Sequence, residues 1–83
     1  MDKAELKEQA LRHNWLLFDD AYDEALVGST RDMQPVYDWD TLVSISMRLI
    51  GGDSHDAIDY VDHTFVGVWL ERGPIVMYGA NNT

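Results

Sequence analysis

Ala25-Leu26-Val27-Gly28-Ser29-Thr30-Arg31-Asp32-Met33-Gln34-Pro35-Val36-Tyr37 sets two short apolar runs on either side of a polar connection of hairpin length. Ala25–Gly28 and Gln34–Tyr37 are each too short for a stable helix, and Val27, Val36 and Tyr37 favour extended backbone. The stretch therefore predicts a β-hairpin. Pro35 has no N–H to give to a ladder, so either the second strand lies at a sheet edge or Pro35 stands at its start.

Helical signals flank this hairpin. Downstream, Asp38 or Asp40 can cap a helix over residues 40–50. Its buried stripe would be Leu42, Val43, Met47 (or Ser46) and Ile50, with Trp39 packing on Val43 as a hydrophobic staple. Gly51-Gly52 ends that helix, as glycine commonly does. Asp53 or Ser54 then caps a further helix over 54–63 that turns Ala57, Ile58 and Val61 inward. Upstream, Leu6, Ala10, Leu11 and Trp15 recur near the helical period over residues 2–14, with Asp2 as cap and Glu5 three residues on. Asp19 to Glu24 reads as a polar turn. Phe65-Val66-Gly67-Val68-Trp69-Leu70 fits either a continued helix or a strand. Gly73-Pro74 is a turn, and Pro74–Tyr78 reads as a strand. The expected class is α+β: a small antiparallel or mixed sheet, hairpin plus C-terminal strand, packed against two to three helices. The 83 residues are expected to form one domain. Within it, 1–18 is a helical extension, 19–79 the α+β core and 80–83 a tail.

Composition narrows the chemistry. Fifteen acidic residues stand against six basic ones, a formal charge of −9. Such a chain has no basic surface for DNA, RNA or an anionic membrane. With no cysteine, disulfides, thiolate zinc sites and thiol nucleophiles are excluded. No apolar run approaches the roughly 18 residues of a spanning helix, and the first residues lack the pattern of a signal peptide. The expected setting is the cytoplasm. The charge is also localised. Residues 19–62 hold eleven acids and two arginines and so carry the whole −9, and ten of the eleven acids are aspartate. Aspartate is short, which keeps its charge near the backbone.

Several of these segments together resemble a family of small, mostly uncharacterised proteins carried by bacteriophages, prophages and other mobile elements. The resemblance rests on Asp23-Glu24-Ala25-Leu26-Val27-Gly28, Pro35-Val36-Tyr37-Asp38-Trp39-Asp40-Thr41-Leu42-Val43, Asp56-Ala57-Ile58-Asp59-Tyr60-Val61-Asp62, Gly67-Val68-Trp69 and Pro74-Ile75-Val76. It covers roughly residues 20–79 and leaves out the first 18. This chain departs from the family pattern at Asp56 and Asp59, where the family has glutamate. It departs again at Arg72-Gly73, where a threonine often precedes the proline. The resemblance implies a mobile-element context and brings no catalytic site.

Asp53, Asp56, Asp59 and Asp62 follow one another at steps of three, a winding ridge on a helix with neighbours about 4.5 Å apart along the axis. Duplex DNA carries one charge per roughly 1.7 Å of axis. Joined by Asp19, Asp20, Asp23, Glu24, Asp38 and Asp40, the ridge could imitate a short piece of phosphate backbone. The plainer reading is a solvated face that keeps a small protein soluble. Against it, like charges at helical neighbour spacing oppose one another, and a solubility face normally interleaves lysine. Tyr22, Trp39 and Tyr60 lie among these acids and could stack on a partner arginine; the competing reading places them in the core. His55, Asp59 and His63 share a helix side, but the outer two are about 12 Å apart along the axis, too far to converge on one ion. Asp19-Asp20 and Asp38-x-Asp40 read as caps rather than as an acid–base pair, and no phosphate loop or nucleophile motif accompanies them.

The sequence therefore leads to the expectation of a non-enzymatic protein without cofactor, an inhibitor of a bacterial defence complex. Its partner would be a basic nucleic-acid-binding protein of the host, a CRISPR effector or a restriction enzyme, blocked by an acidic DNA mimic. An anti-CRISPR protein is the leading case. The alternatives are an anti-restriction mimic and a small adaptor or dimerisation module using an apolar patch around Phe65 and Trp69.

Overall fold

Asp38 is the point at which the chain turns from sheet to helix. In the computed structural model, which describes residues 2–66 and 72–78, β1 (Leu26–Ser29) and β2 (Pro35–Asp38) form the hairpin. Directly after β2 comes α2 (Trp39–Ile50), preceded in the chain by α1 (Lys3–Arg12). Next are α3 (Ser54–Val61), a π-helical turn over Asp62–Val66, and β3 (Ile75–Met77). A 3-10 helix, Asp20–Ala25, leads into β1. The architecture is α+β, a three-stranded mixed sheet packed against helices.

β2 is the central strand. It runs antiparallel to β1, with Leu26 opposite Tyr37 and Ser29 opposite Pro35, and a register shift between Leu26 and Gly28. It runs parallel to β3, with Val36 opposite Ile75 and Asp38 opposite Met77. All four β2 residues are buried. Of the two sequence readings of Pro35, the edge strand is therefore wrong and the start of the strand is right. Pro35 opens β2, where a missing N–H does least harm to the ladder.

The helices end where side-chain chemistry ends them. Asp2 accepts the Glu5 N–H at 2.9 Å, Asp38 the Thr41 N–H at 3.0 Å and Asp53 the Asp56 N–H at 2.9 Å. These are N-caps that satisfy otherwise orphaned donors. Gly51 closes α2 with φ 71°, and its N–H reaches the Met47 carbonyl. That left-handed conformation is open to glycine without a Cβ penalty. It folds α3 back against α2 as a helical hairpin.

The core joins Leu26 and Tyr37 of the sheet to Leu42, Val43 and Ile45 of α2 and Ala57 and Val61 of α3. Three expectations need correction. The buried stripe of α2 is Leu42, Val43, Ile45 and Ser46, whereas Met47 and Ile50 are 36% and 46% exposed. With Leu42 and Ser46 at its centre, Met47 falls about 100° past Ser46, off the buried face. The last turn holding Ile50 runs beyond the core. The helix expected over 54–63 keeps α-helical form to Val61 and continues as the π-helical turn. Finally, residues 1–18 are no mere extension. Leu6 belongs to the core cluster, and Phe18 packs on it. Of the ambiguous stretch 65–70, residues 67–70 lie outside the described residues, as do tail residues 80–83.

Phe65 of the π-helical turn joins a chain of aromatic rings that runs from the core to the surface. Its ring centroid is 4.5 Å from Phe18, 4.8 Å from Tyr22 and 6.2 Å from Tyr60. Phe18 in turn lies 4.5 Å from Tyr37, whose hydroxyl accepts the Phe18 N–H at 3.2 Å. Burial raises the Tyr37 phenol above its ordinary value, because the charged form would lose hydration. Tyr22 is raised by burial first and then by the Tyr60 hydroxyl.

Candidate partner-binding surface

The acids of residues 19–62 divide into three groups. Asp38 is one by itself. It is fully buried, and one carboxylate oxygen takes both the Thr41 N–H and the Thr41 hydroxyl, the latter at 2.6 Å. It cannot meet a partner, contrary to the sequence expectation. Its residue type was chosen by the helix start.

The second group lies on the 3-10 helix, where most carboxylates are already engaged. Asp19 caps the segment by accepting the Ala21 N–H. Lys7, reaching over from α1, donates to Asp20 at 2.8 Å and Asp23 at 2.9 Å. The hydrogen bond from Lys7 holds the Asp20 carboxyl below its ordinary value. In return, Asp20 first and then Asp23 push the Lys7 ammonium upward. Arg48 of α2 stands 3.5 Å from Glu24, and Lys3 donates to the Glu24 carbonyl. Four of the sheet-side acids predicted as contacts thus carry internal duties.

The third group is the α2–α3 hairpin, with Asp40, Asp53, Asp56, Asp59 and Asp62. Among the described residues, no lysine or arginine lies within ion-pair distance of any of the five. All six basic residues are described. Five of them serve elsewhere: Lys3, Lys7 and Arg48 at the 3-10 helix, Arg12 on Glu8, and Arg72 over the Trp15 ring at 4.0 Å. Helical geometry sets Asp56 and Asp59 about 150° round α3 from the mean direction of Ala57, Ile58 and Val61. Both are exposed, with Asp53 and Asp62 on the flanks. Four carboxylates follow one another over about 13 Å of axis.

Fold stability accounts for only part of this ridge. Asp53 caps α3, and Asp56 sits in its first turn, where the helix dipole favours a negative charge. Asp59 lies in the C-terminal half, where the dipole disfavours it, and no basic residue occupies the last turn. Its nearest cation-forming group is His55, 3.9 Å away and itself exposed. Asp62 accepts the Trp39 indole N–H at 3.1 Å. Asp40 follows Trp39 in the first turn of α2, which puts its exposed carboxylate at the same end of the hairpin.

The three aromatics differ as well. Tyr22 is 7% exposed and belongs to the core, so its expected role as a contact is not available to it. Trp39 is half-buried and Tyr60 is exposed. Sequence reasoning missed Tyr78, which is 62% exposed and lies 5.1 Å from Trp39, ring to ring. The signal for it is the parallel register: once Asp38 faces Met77, the residues that directly follow the two strands, Trp39 and Tyr78, meet.

Only part of the apolar patch expected around Phe65 and Trp69 falls among the described residues. Phe65 is partly buried and packs against the core, and Trp69 lies outside the described residues. Exposed apolar side chains gather at the end of α2, where Met47, Leu49 and Ile50 reach solvent. Leu49 also lines a shallow slot with Ala21, Glu24, Ile45 and Arg48. Among the described residues no three His, Asp or Glu side chains converge as metal ligands would, and no helix is long and apolar enough to cross a membrane. No protein-family model, curated protein or solved structure matches the chain.

Proposed function

We propose that this protein is a non-catalytic inhibitor of a bacterial defence complex, an anti-CRISPR protein that occupies a DNA-binding groove as an acidic mimic of DNA. The observation that carries the reading is the α3 ridge, four aspartates in ten residues with no lysine or arginine within ion-pair distance among the described residues. A surface kept for solubility alone gains nothing from excluding cations, and like charges at this spacing lower helix stability. A groove lined with lysine and arginine, built to hold phosphates, would supply the missing countercharge. Long-range attraction would speed docking, and salt would slow and weaken it. The mobile-element context implied by the resemblance points to a host defence system as the target, acting in the bacterial cytoplasm. A restriction enzyme presents the same kind of groove, and anti-restriction activity is the neighbouring reading. An adaptor role is favoured by one observation, the exposed Met47, Leu49 and Ile50.

The test is competition. A guide-loaded CRISPR effector is mixed with labelled target duplex and increasing amounts of this protein, and DNA binding is followed by anisotropy. The wild type displaces DNA. The triple variant Asp56→Asn, Asp59→Asn, Asp62→Asn does not, while its circular dichroism and melting stay native-like. A triple variant that competes as well as wild type contradicts the mimic. The same assay on a restriction enzyme separates the two defence targets. Inhibition lost on Leu49→Gln but kept in the triple variant would favour the adaptor.

A further inference from the structure

We propose that Trp39, Tyr78 and Asp62 form a receptor for an arginine side chain of the docking partner. The inference rests on the reading above, that a cationic partner meets the α2–α3 hairpin, and adds which cation is read at one point of it. The two rings lie 5.1 Å apart at an interplanar angle of 37°. Tyr78 is the most exposed large apolar or aromatic side chain of the described residues. Packing against the core explains half-buried Trp39, but not a tyrosine left in water just past β3. Beside the Trp39 ring, its indole N–H fixes Oδ1 of Asp62 at 3.1 Å, which orients the carboxylate. Asp40 stands next to Trp39 on the same end of the hairpin.

An exposed aromatic face flanked by an oriented carboxylate suits guanidinium better than ammonium. Guanidinium is planar and weakly hydrated, so it stacks on a ring while its edge N–H groups point to an acceptor. Ammonium holds its water more tightly and has no plane to stack. The molecule uses this recognition once already, internally. Arg72 lies over the Trp15 ring at 4.0 Å, and its guanidinium edge donates to the carbonyls of His13 and Asn14. At Trp39 and Tyr78 the aromatic and acceptor components are in place, and among the described residues no arginine of this chain stacks there. The carboxylate ridge, by contrast, attracts both lysine and arginine through their charge.

The experiment titrates the full chain with octa-arginine and, separately, octa-lysine at moderate salt, following the Trp39 indole N–H and Tyr78 ring signals by NMR. Octa-arginine is expected to bind about two- to fivefold more tightly through one exposed cation–π contact, and to move both signals. Tyr78→Ala removes the Tyr78 contribution to that preference and leaves octa-lysine affinity unchanged, whereas Tyr78→Phe keeps it. Equal affinity for the two peptides overturns the receptor, and so does a preference that is undiminished in Tyr78→Ala, since bidentate pairing with the ridge would then explain it. Failure of both peptides to bind overturns the cationic-partner reading as well. Octa-lysine binding with no arginine preference overturns the receptor alone.

Discussion

Counted with their capping residues, the 3-10 helix and α3 each carry four predicted contact acids, yet they are different surfaces. On the 3-10 helix, Asp20 and Asp23 share Lys7, Asp19 holds a backbone N–H, and Glu24 lies beside Arg48. On α3, Asp53 and Asp56 serve the helix start, and Asp59 and Asp62 remain without a lysine or arginine partner among the described residues. The difference lies in what folds next to each segment. Lys7 comes from 13 and 16 residues away and Arg48 from 24. Formal charge counts carboxylates; recognition depends on those left without an internal cation. Among the described residues, Asp40, Asp53, Asp56, Asp59 and Asp62 of the α2–α3 hairpin have no lysine or arginine within ion-pair distance.

The comparison can be broken most forcefully at the acid that belongs to neither surface. Asp38→Ala removes the cap of α2 from a buried position and should lower stability by about 1–2 kcal/mol, measured by urea denaturation. Asp59→Ala in the same assay should cost nothing. Equal losses would mean that α3 carboxylates also hold the fold together.

A smaller effect is expected from removing the cation of the 3-10 helix. Lys7→Met should lower the melting temperature at neutral pH, because Asp20 and Asp23 then repel one another. The gap between wild type and variant has a defined pH window. Asp20 is held below its ordinary 3.8, so its contribution is present above that value and fades as pH falls through the folded-state pKa. Lys7 is held above its ordinary 10.5, so its contribution is complete below that value and is lost as pH rises through the folded-state pKa. The gap should therefore be widest between these limits. A gap independent of pH would show that Lys7 acts through packing. Tyr22 and Tyr37, both raised above an ordinary 10.0 by burial, add to the loss on the alkaline side. Wild-type stability should fall as pH rises beyond about 10, followed by denaturant melts together with tyrosinate absorbance.

The smallest effect has the opposite sign. Asp59→Asn relieves like-charge repulsion on α3 and should raise stability by about 0.2–0.5 kcal/mol. Asp20→Asn should lower it. Two changes of the same sign would erase the distinction between the surfaces.

How much of this was legible in the sequence follows the range of each interaction. Asp2 was readable as a cap, and Asp38 and Asp53 each as one of two candidates, because a cap bonds a backbone N–H three residues away. Gly51 was readable as a helix end for the same local reason, and the hairpin from its two apolar runs. The central position of β2 was not, because its second edge is covered by β3, 39 residues further on. The same parallel register hides the meeting of Trp39 with Tyr78. The Lys7 and Arg48 contacts, which engage three of the ten predicted contact acids, likewise require the tertiary fold. The concentration of charge over residues 19–62 is therefore legible in the sequence, whereas the burial of Asp38 and the internal cations of Asp20, Asp23 and Glu24 are not.

The most direct test is to map where a plain polycation settles. Octa-lysine titrated into the labelled protein should shift the side-chain carboxyl signals of Asp40, Asp53, Asp56 and Asp59 first, with those of Asp20 and Asp23 nearly unmoved, and added salt should reverse the shifts. Equal or larger shifts at Asp20 and Asp23 would contradict the account, because Lys7 would then leave that side as open to cations as α3.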